Sequence, residues 1–205
     1  VKAAVLPFSR FRTPEGVVVD SLLSPEMRST GEVMGLDTLY DTAFAKAQAG
    51  AGSPLPTEGK VFVSVANHDK RNVIIYAKML EQLGFEIVST GGTADVLRRN
   101  GVNSTVASKF AEANGQHSIV DMVRNGEIDL ILNTPAGGAA RSDGYEIRAA
   151  AVSVGCPVMT TISEFAAAVQ AINALREHSW DIMSLQEHGV QLAAAVDARS
   201  EGGEA

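Results

Sequence analysis

The 205-residue chain has one cysteine, Cys156, so no internal disulfide framework is available and the sequence fits a reducing cytoplasm. Cys156 lies in AVSVGCPVM, where it reads as a small core residue and not as a nucleophile. No apolar run approaches the roughly 20 residues that span a membrane, and the N-terminus lacks signal-peptide architecture. The expectation is a soluble cytoplasmic chain with no membrane partner. Basic runs are also missing, and the net charge is −7. That balance argues against a nucleic-acid partner, so any bound anion must be met by a few placed cations.

Two segments carry the strongest signal: VFVSVANHDK (61–70) and STGGTADVL (89–97). Each runs from a strand into a helix. Together they offer Lys70, the hydroxyls of Ser64, Thr90 and Thr93, and the N–H groups of Gly91, Gly92 and Thr93 to one phosphate-sized anion. The plainer alternative is an ordinary βα turn in which Thr93 caps the next helix, and the sequence leaves both open.

Around these blocks the pattern is regular. The apolar runs VFVSV, FEIVS, NSTVA, DLILN and PVMTT alternate with helices expected to begin near Asp69, Thr93, Ser118, Ser142 and Ser163. Gly84, Gly101, Gly126 and Gly155 close four of those helices, and Ser118 with Asp121, like Thr161 with Glu164, has capping-box spacing. Such alternation implies an α/β fold, a doubly wound parallel sheet with flanking helices. Ligands of such sheets sit beyond the carboxyl ends of the strands. There the order of elements gathers Ser64 to Lys70, Thr90 to Thr93, Lys109, Asn133 and Thr134.

Before this region, Gln48 to Gly59 is rich in Gly, Pro, Ala and Ser and reads as a linker. Upstream of it, VKAAVLPFSRF and VVVDSLL read as strands, and a helix runs from an N-cap at Thr38 to Gly50. About fifty residues with one helix make a poor free-standing domain, so this piece is expected to be the end of a larger one. The resulting division is 1–50, a linker over 51–59, an α/β domain over 60–192 and a flexible tail over 193–205.

The rim lacks an acid or histidine poised for proton abstraction. Asp69 reads as a helix cap, Asp95 lies in a helix, and His68 and His117 have no identifiable partner. No catalytic residue and no metal site is expected, and the residues favour binding without chemistry.

The segments PFSRF (7–11) and SPEMRSTGEVMG (24–35) closely resemble the end of the second ATP-grasp half of the carbamoyl-phosphate synthetase large-subunit family. VSVANHDK, STGGT, SKF and LILNT resemble that family's C-terminal regulatory domain, of methylglyoxal-synthase-like fold. The resemblance runs to about Leu192. It implies a small α+β segment from a truncated ATP-grasp domain followed by an allosteric domain that binds UMP or IMP. By position, the phosphate falls to Lys70, Thr90, Thr93 and Ser64, and the rest of the nucleotide to Lys109 and Asn133.

The resemblance further implies glutamine-dependent, ATP-using synthesis of carbamoyl phosphate, with Mg or Mn in the parent enzyme and no cofactor in this segment. Implied partners are the rest of the large subunit, the glutaminase small subunit and further copies in a homo-oligomer. The family often reads Asn-Thr-Thr where this chain has Asn133-Thr134-Pro135, which removes one hydroxyl. Val158 and Met159, not polar residues, precede Thr160-Thr161, so ornithine activation is not assumed. Methylglyoxal synthase remains an alternative, but the segments that hold its aspartates read here as ANGQHS and NTPAGG. IMP cyclohydrolase shares the STGGT turn but not the Lys-Thr-Leu-His-Pro stretch after it. The third alternative is an oligomerisation module with a vestigial phosphate rim.

Overall fold

A computed structural model describes residues 1–6, 31–108, 118–134, 137–177 and 182–201. The chain opens with an antiparallel pair, β1 (Lys2–Val5) and β2 (Gly31–Met34), followed by α1 (Tyr40–Gly50). Residues 51–59 form neither helix nor strand. Then β3 (Lys60–Ser64), α2 (Lys70–Gln82), β4 (Glu86–Ser89), α3 (Gly91–Arg99), β5 (Thr105–Val106) and α4 (Ile119–Arg124) alternate. They continue as β6 (Leu130–Asn133), α5 (Gly137–Val154), β7 (Val158–Met159), α6 (Ile162–Glu177) and α7 (Leu185–Glu201).

The five later strands form one parallel sheet in the order β5-β4-β3-β6-β7. Because side chains alternate across a strand, neighbouring residues feed two separate cores. Val61, Val63, Ile87, Leu130, Leu132 and Met159 pack with Val73, Ala77 and Leu80 of α2, Leu97 of α3, and Phe165, Val169 and Ile172 of α6. On the other face Phe62, Val88 and Ile131 meet Ile119, Val120 and Val123 of α4 and Ile147, Ala150 and Ala151 of α5. Burying one such Val, Leu, Ile or Phe contributes about 1.5–3 kcal/mol, so both layers are needed to hold the sheet. The three-layer α/β architecture expected from the sequence is the observed one, and α1 lies against α6.

The helix stops follow their glycines: Gly84, Gly101, Gly126 and Gly155 all have φ between +71° and +87°. Gly59 answers two demands at once. Its φ is +115°, and a Cβ there would collide with the Asp129 carboxylate, whose Oδ2 accepts from the Lys60 N–H at 2.7 Å. Ser118 and Asp121 form the full capping box. The second expected box is altered: Thr161 Oγ1 accepts from Glu164 N at 3.2 Å, but Glu164 Oε2 accepts from Thr160 N, also at 3.2 Å.

Several boundaries differ from expectation. Helix α1 has Leu39, not Thr38, at its N-cap, because Asp37 Oδ1 accepts from Leu39 N at 3.2 Å. Helix α5 starts at Gly137, five residues before Ser142, and the strand β2 was not anticipated. The residues after Glu187 are helical through Glu201 where a tail was expected. A reciprocal Ser184–Glu187 cap starts that helix, and small residues of high helix propensity extend it. VVVDSLL, PFSRF and residues 24–30 lie outside the described residues. Among the described residues no helix is long and apolar enough to cross a membrane.

Burial pushes the Cys156 thiol up to about 12, with the nearby Asp129 charge adding to the effect, so it stays protonated and donates to Ile128 O at 3.4 Å. Burial also raises the Glu164 carboxyl, opposed by the Thr160 N–H. The folded state therefore holds this proton to a higher pH than the unfolded chain does. As pH rises above the ordinary value of 4.5, the wild type is expected to lose stability relative to Glu164→Gln. The difference should level off once the folded-state carboxyl ionises; paired denaturant melts across pH check the slope, and a difference that grows with pH in the opposite sense contradicts it.

Candidate functional site

Strand order reverses at β3: β4 and β5 lie on one side of it, β6 and β7 on the other. Loops leaving the carboxyl ends of β3 and β6 therefore diverge and open a crevice, the usual ligand position in an open parallel sheet. Ser64 and Asn133, the last residues of those strands, are register partners across it. The chain leaves β3 through Val65 and Ala66, makes one 3-10 turn over Asn67–Asp69 and enters α2 at Lys70.

The rim is tied together by hydroxyls. Ser64 Oγ lies 3.4 Å from Thr90 Oγ1, which donates to Thr93 Oγ1 at 3.4 Å, and Thr93 Oγ1 accepts from Val65 N at 3.5 Å. On the β6 side Thr134 Oγ1 accepts from Ala66 N at 2.9 Å, and Thr134 N donates to Ser64 O at 3.1 Å. The three hydroxyls thus form one chain of long contacts, with Thr93 buried at its inner end.

Lys70 reaches the same place. A Cβ on Gly92 would lie 3.1 Å from Lys70 Nζ, so the ammonium sits over the first turn of α3. Its charge and the helix N-terminus favour the same anion. Gly91 and Gly92 are exposed, and no partner among the described residues takes their N–H groups.

Three local readings change. Thr93 does not cap the helix: α3 starts at Gly91 with Thr90 at the N-cap, and neither hydroxyl makes a cap bond. Thr93 is 1 % exposed, and its N–H donates to Thr90 O at 2.9 Å, which removes it from the anion donors. Asp69 is not a side-chain cap either; its Oδ2 lies 3.4 Å from His68 Nε2 on an exposed imidazole. Lys109 and His117 lie outside the described residues.

One participant was not anticipated. Arg148 on α5 is fully buried, and its Nη1 donates to Asn133 Oδ1 at 3.0 Å. Gly144, one turn earlier, leaves the space: a Cβ there would lie 2.6 Å from Asn133 Oδ1 and closer still to Arg148 Nη1. A charged residue in the apolar stretch EIRAAAV, four residues after a glycine, was the available signal.

Two cavities lie elsewhere. A cleft of about 450 Å3 separates β1 and the end of α1 from Val158, Thr160 and Glu164. A groove of about 470 Å3 runs between Met34, Leu36 and Lys46 and the start of α7. Among the described residues no group of three or more His, Cys, Asp or Glu is placed to hold a metal ion. The chemistry the rim supports is anion capture by one ammonium, two backbone N–H groups and several hydroxyls.

Gly92→Ala separates this role from stability. The methyl group displaces Lys70 Nζ, while alanine in a helix is favourable by up to about 1 kcal/mol over glycine. Phosphate-ester affinity is expected to fall several-fold with an unchanged or raised melting temperature; a variant that melts lower and binds normally contradicts this.

Comparison with known proteins bears on this arrangement. Residues 72–160 match the family model described as MGS-like domain. The chain is 67 % identical over 201 residues to the carbamoyl phosphate synthase large chain of Paenarthrobacter aurescens (strain TC1), covering 97 % of this chain and 18 % of that protein. It is 68 % identical over 190 residues to the large chain of Kocuria rhizophila, with 92 % and 17 % covered. To the large chain of Streptomyces coelicolor it is 54 % identical over 200 residues, with 96 % and 18 % covered. The chain thus spans less than a fifth of the length of these relatives. With its MGS-like domain built on the five-stranded parallel sheet, the chain belongs to the carbamoyl phosphate synthase large-chain family, of which it is a C-terminal fragment.

Proposed function

We propose that this fragment is the allosteric region of a glutamine-dependent carbamoyl-phosphate synthetase, and that its rim binds a nucleoside monophosphate effector such as UMP or IMP. The observation that carries the reading is the convergence of Lys70 Nζ, the free first-turn N–H groups of Gly91 and Gly92, and the Ser64–Thr90–Thr93 hydroxyls on one crevice. A phosphomonoester needs positive charge and donors at fixed positions, and this crevice offers both. Lys109, Asn133 and Thr134 complete the proposed effector site.

Within this proposal, residues 1–50 end an ATP-grasp domain, 51–59 link it to the regulatory domain, and 60–192 sense the nucleotide. The parent enzyme would act as an ATP-dependent ligase in the cytoplasm, using Mg or Mn held outside this segment, in pyrimidine and arginine synthesis. Its partners would be the remainder of the large chain, a glutaminase small subunit and further copies of itself. Effector binding shifts a conformational equilibrium only by its differential affinity for the two states, typically about 1–3 kcal/mol.

Calorimetric titration of the chain with UMP and IMP, beside a Lys70→Ala, Thr93→Ala double variant, tests the reading. Saturable binding by the wild type that disappears in the double variant is expected. Lack of binding at millimolar nucleotide overturns it and favours the oligomerisation alternative.

A further inference from the structure

Asn133 stands where β6 enters the crevice, two strands from Thr90, a separation of about 10 Å at the usual strand spacing. A phosphate held at Lys70 and Thr90 therefore places the far part of its ester, not the phosphoryl group, near Asn133. What Asn133 presents to that part depends on which way its amide is turned.

Arg148 settles the amide's direction by chemistry. A guanidinium has N–H donors and no acceptor, so the Asn133 atom facing it at 3.0 Å must be Oδ1. The pair is enclosed: Arg148 is 0 % exposed and Asn133 7 %. Gly144 admits it with no side chain of its own, and α5 holds Gly144 and Arg148 on one face, four residues apart. Rotating the amide would set Nδ2 donors against guanidinium donors in a buried space, which costs an unpaired polar group on each side. Among the described residues nothing accepts from Nδ2.

We propose that Arg148 is a positioning residue of the nucleotide site: by drawing Asn133 Oδ1 toward itself it turns the amide so that Nδ2, a donor, faces the crevice, which selects a base edge carrying an oxo acceptor over one carrying an amino donor. The proposal rests on the nucleotide-site reading above and adds its selectivity device. With Oδ1 turned to Arg148, an amino group opposite Nδ2 meets a donor instead of an acceptor.

The test is calorimetric titration of the chain with ligand pairs that differ at one group, UMP against CMP and IMP against AMP, with ribose 5-phosphate as the base-free probe. The wild type is expected to favour each oxo member by at least about tenfold, the scale of one polar group left unpaired. Asn133→Asp, which turns acceptors toward the crevice while keeping a partner for Arg148, should reverse the ratio. Arg148→Lys should retain it, and Arg148→Met should reduce it to within about twofold while ribose 5-phosphate affinity is kept. A purely structural role for Arg148 would move all five affinities together and leave the ratios alone.

If ribose 5-phosphate binds and the pairs are not discriminated, the positioning role is overturned and the nucleotide site stands. If none of the five ligands binds, both are overturned. Should Arg148→Met not fold, the wild-type ratio and the Asn133→Asp reversal decide the matter alone; an unreversed ratio in Asn133→Asp counts against the proposal.

Discussion

A parallel strand cannot turn directly into its neighbour, so each strand of the five-stranded sheet must return through a crossover and deliver its carboxyl end to the same rim. The proposed site follows from that constraint. The central strand β3 pairs with β4 on one side and β6 on the other, so Ser64 lies between Ser89-Thr90 and Asn133-Thr134. The backbone leaving β3 is stapled both ways, by Val65 N to Thr93 Oγ1 and by Ala66 N to Thr134 Oγ1. A hydroxyl-lined crevice beside a lysine results from topology, with only four or five side chains specified in detail.

The same geometry explains what the sequence disclosed. Both faces of a parallel sheet are covered, so its strands appear as short apolar runs between capped helices, and VFVSV, FEIVS and DLILN could be placed without ambiguity. The glycines at 84, 101, 126 and 155 announce helix ends because each must adopt a left-handed conformation. Features that depend on distant partners were harder to see. GEVM becomes a strand only because β1, some thirty residues away, pairs with it. Whether Thr90 or Thr93 leads the α3 helix is decided by where Thr93 is needed, beneath Val65, and no local rule encodes that. Arg148 was missed because its partner Asn133 lies on a different element, and an arginine in a helix is ordinarily read as solvated.

The regulatory domain is not insulated from the segment before it. Helix α1 packs against α6, the helix that follows β7, and the cleft between β1 and Glu164 borders the same edge of the sheet. The crevice opens at β3 and β6, one strand from that edge. Phe44 and Ala45 of α1 share a core with Val61, Val63, Leu130 and Leu132, so on the proposed function a ligand that orders the crevice would act on elements packed against the preceding segment.

The central claim is that one crevice, at the carboxyl ends of β3, β4 and β6, is where the effector sits. Amide chemical-shift mapping of the isotopically labelled chain during a UMP titration tests it most directly. The account predicts saturable shifts concentrated at Val65, Ala66, Gly91, Gly92, Asn133 and Thr134. Shifts centred on the cleft between β1 and Glu164, or on the groove beside α7, would contradict it.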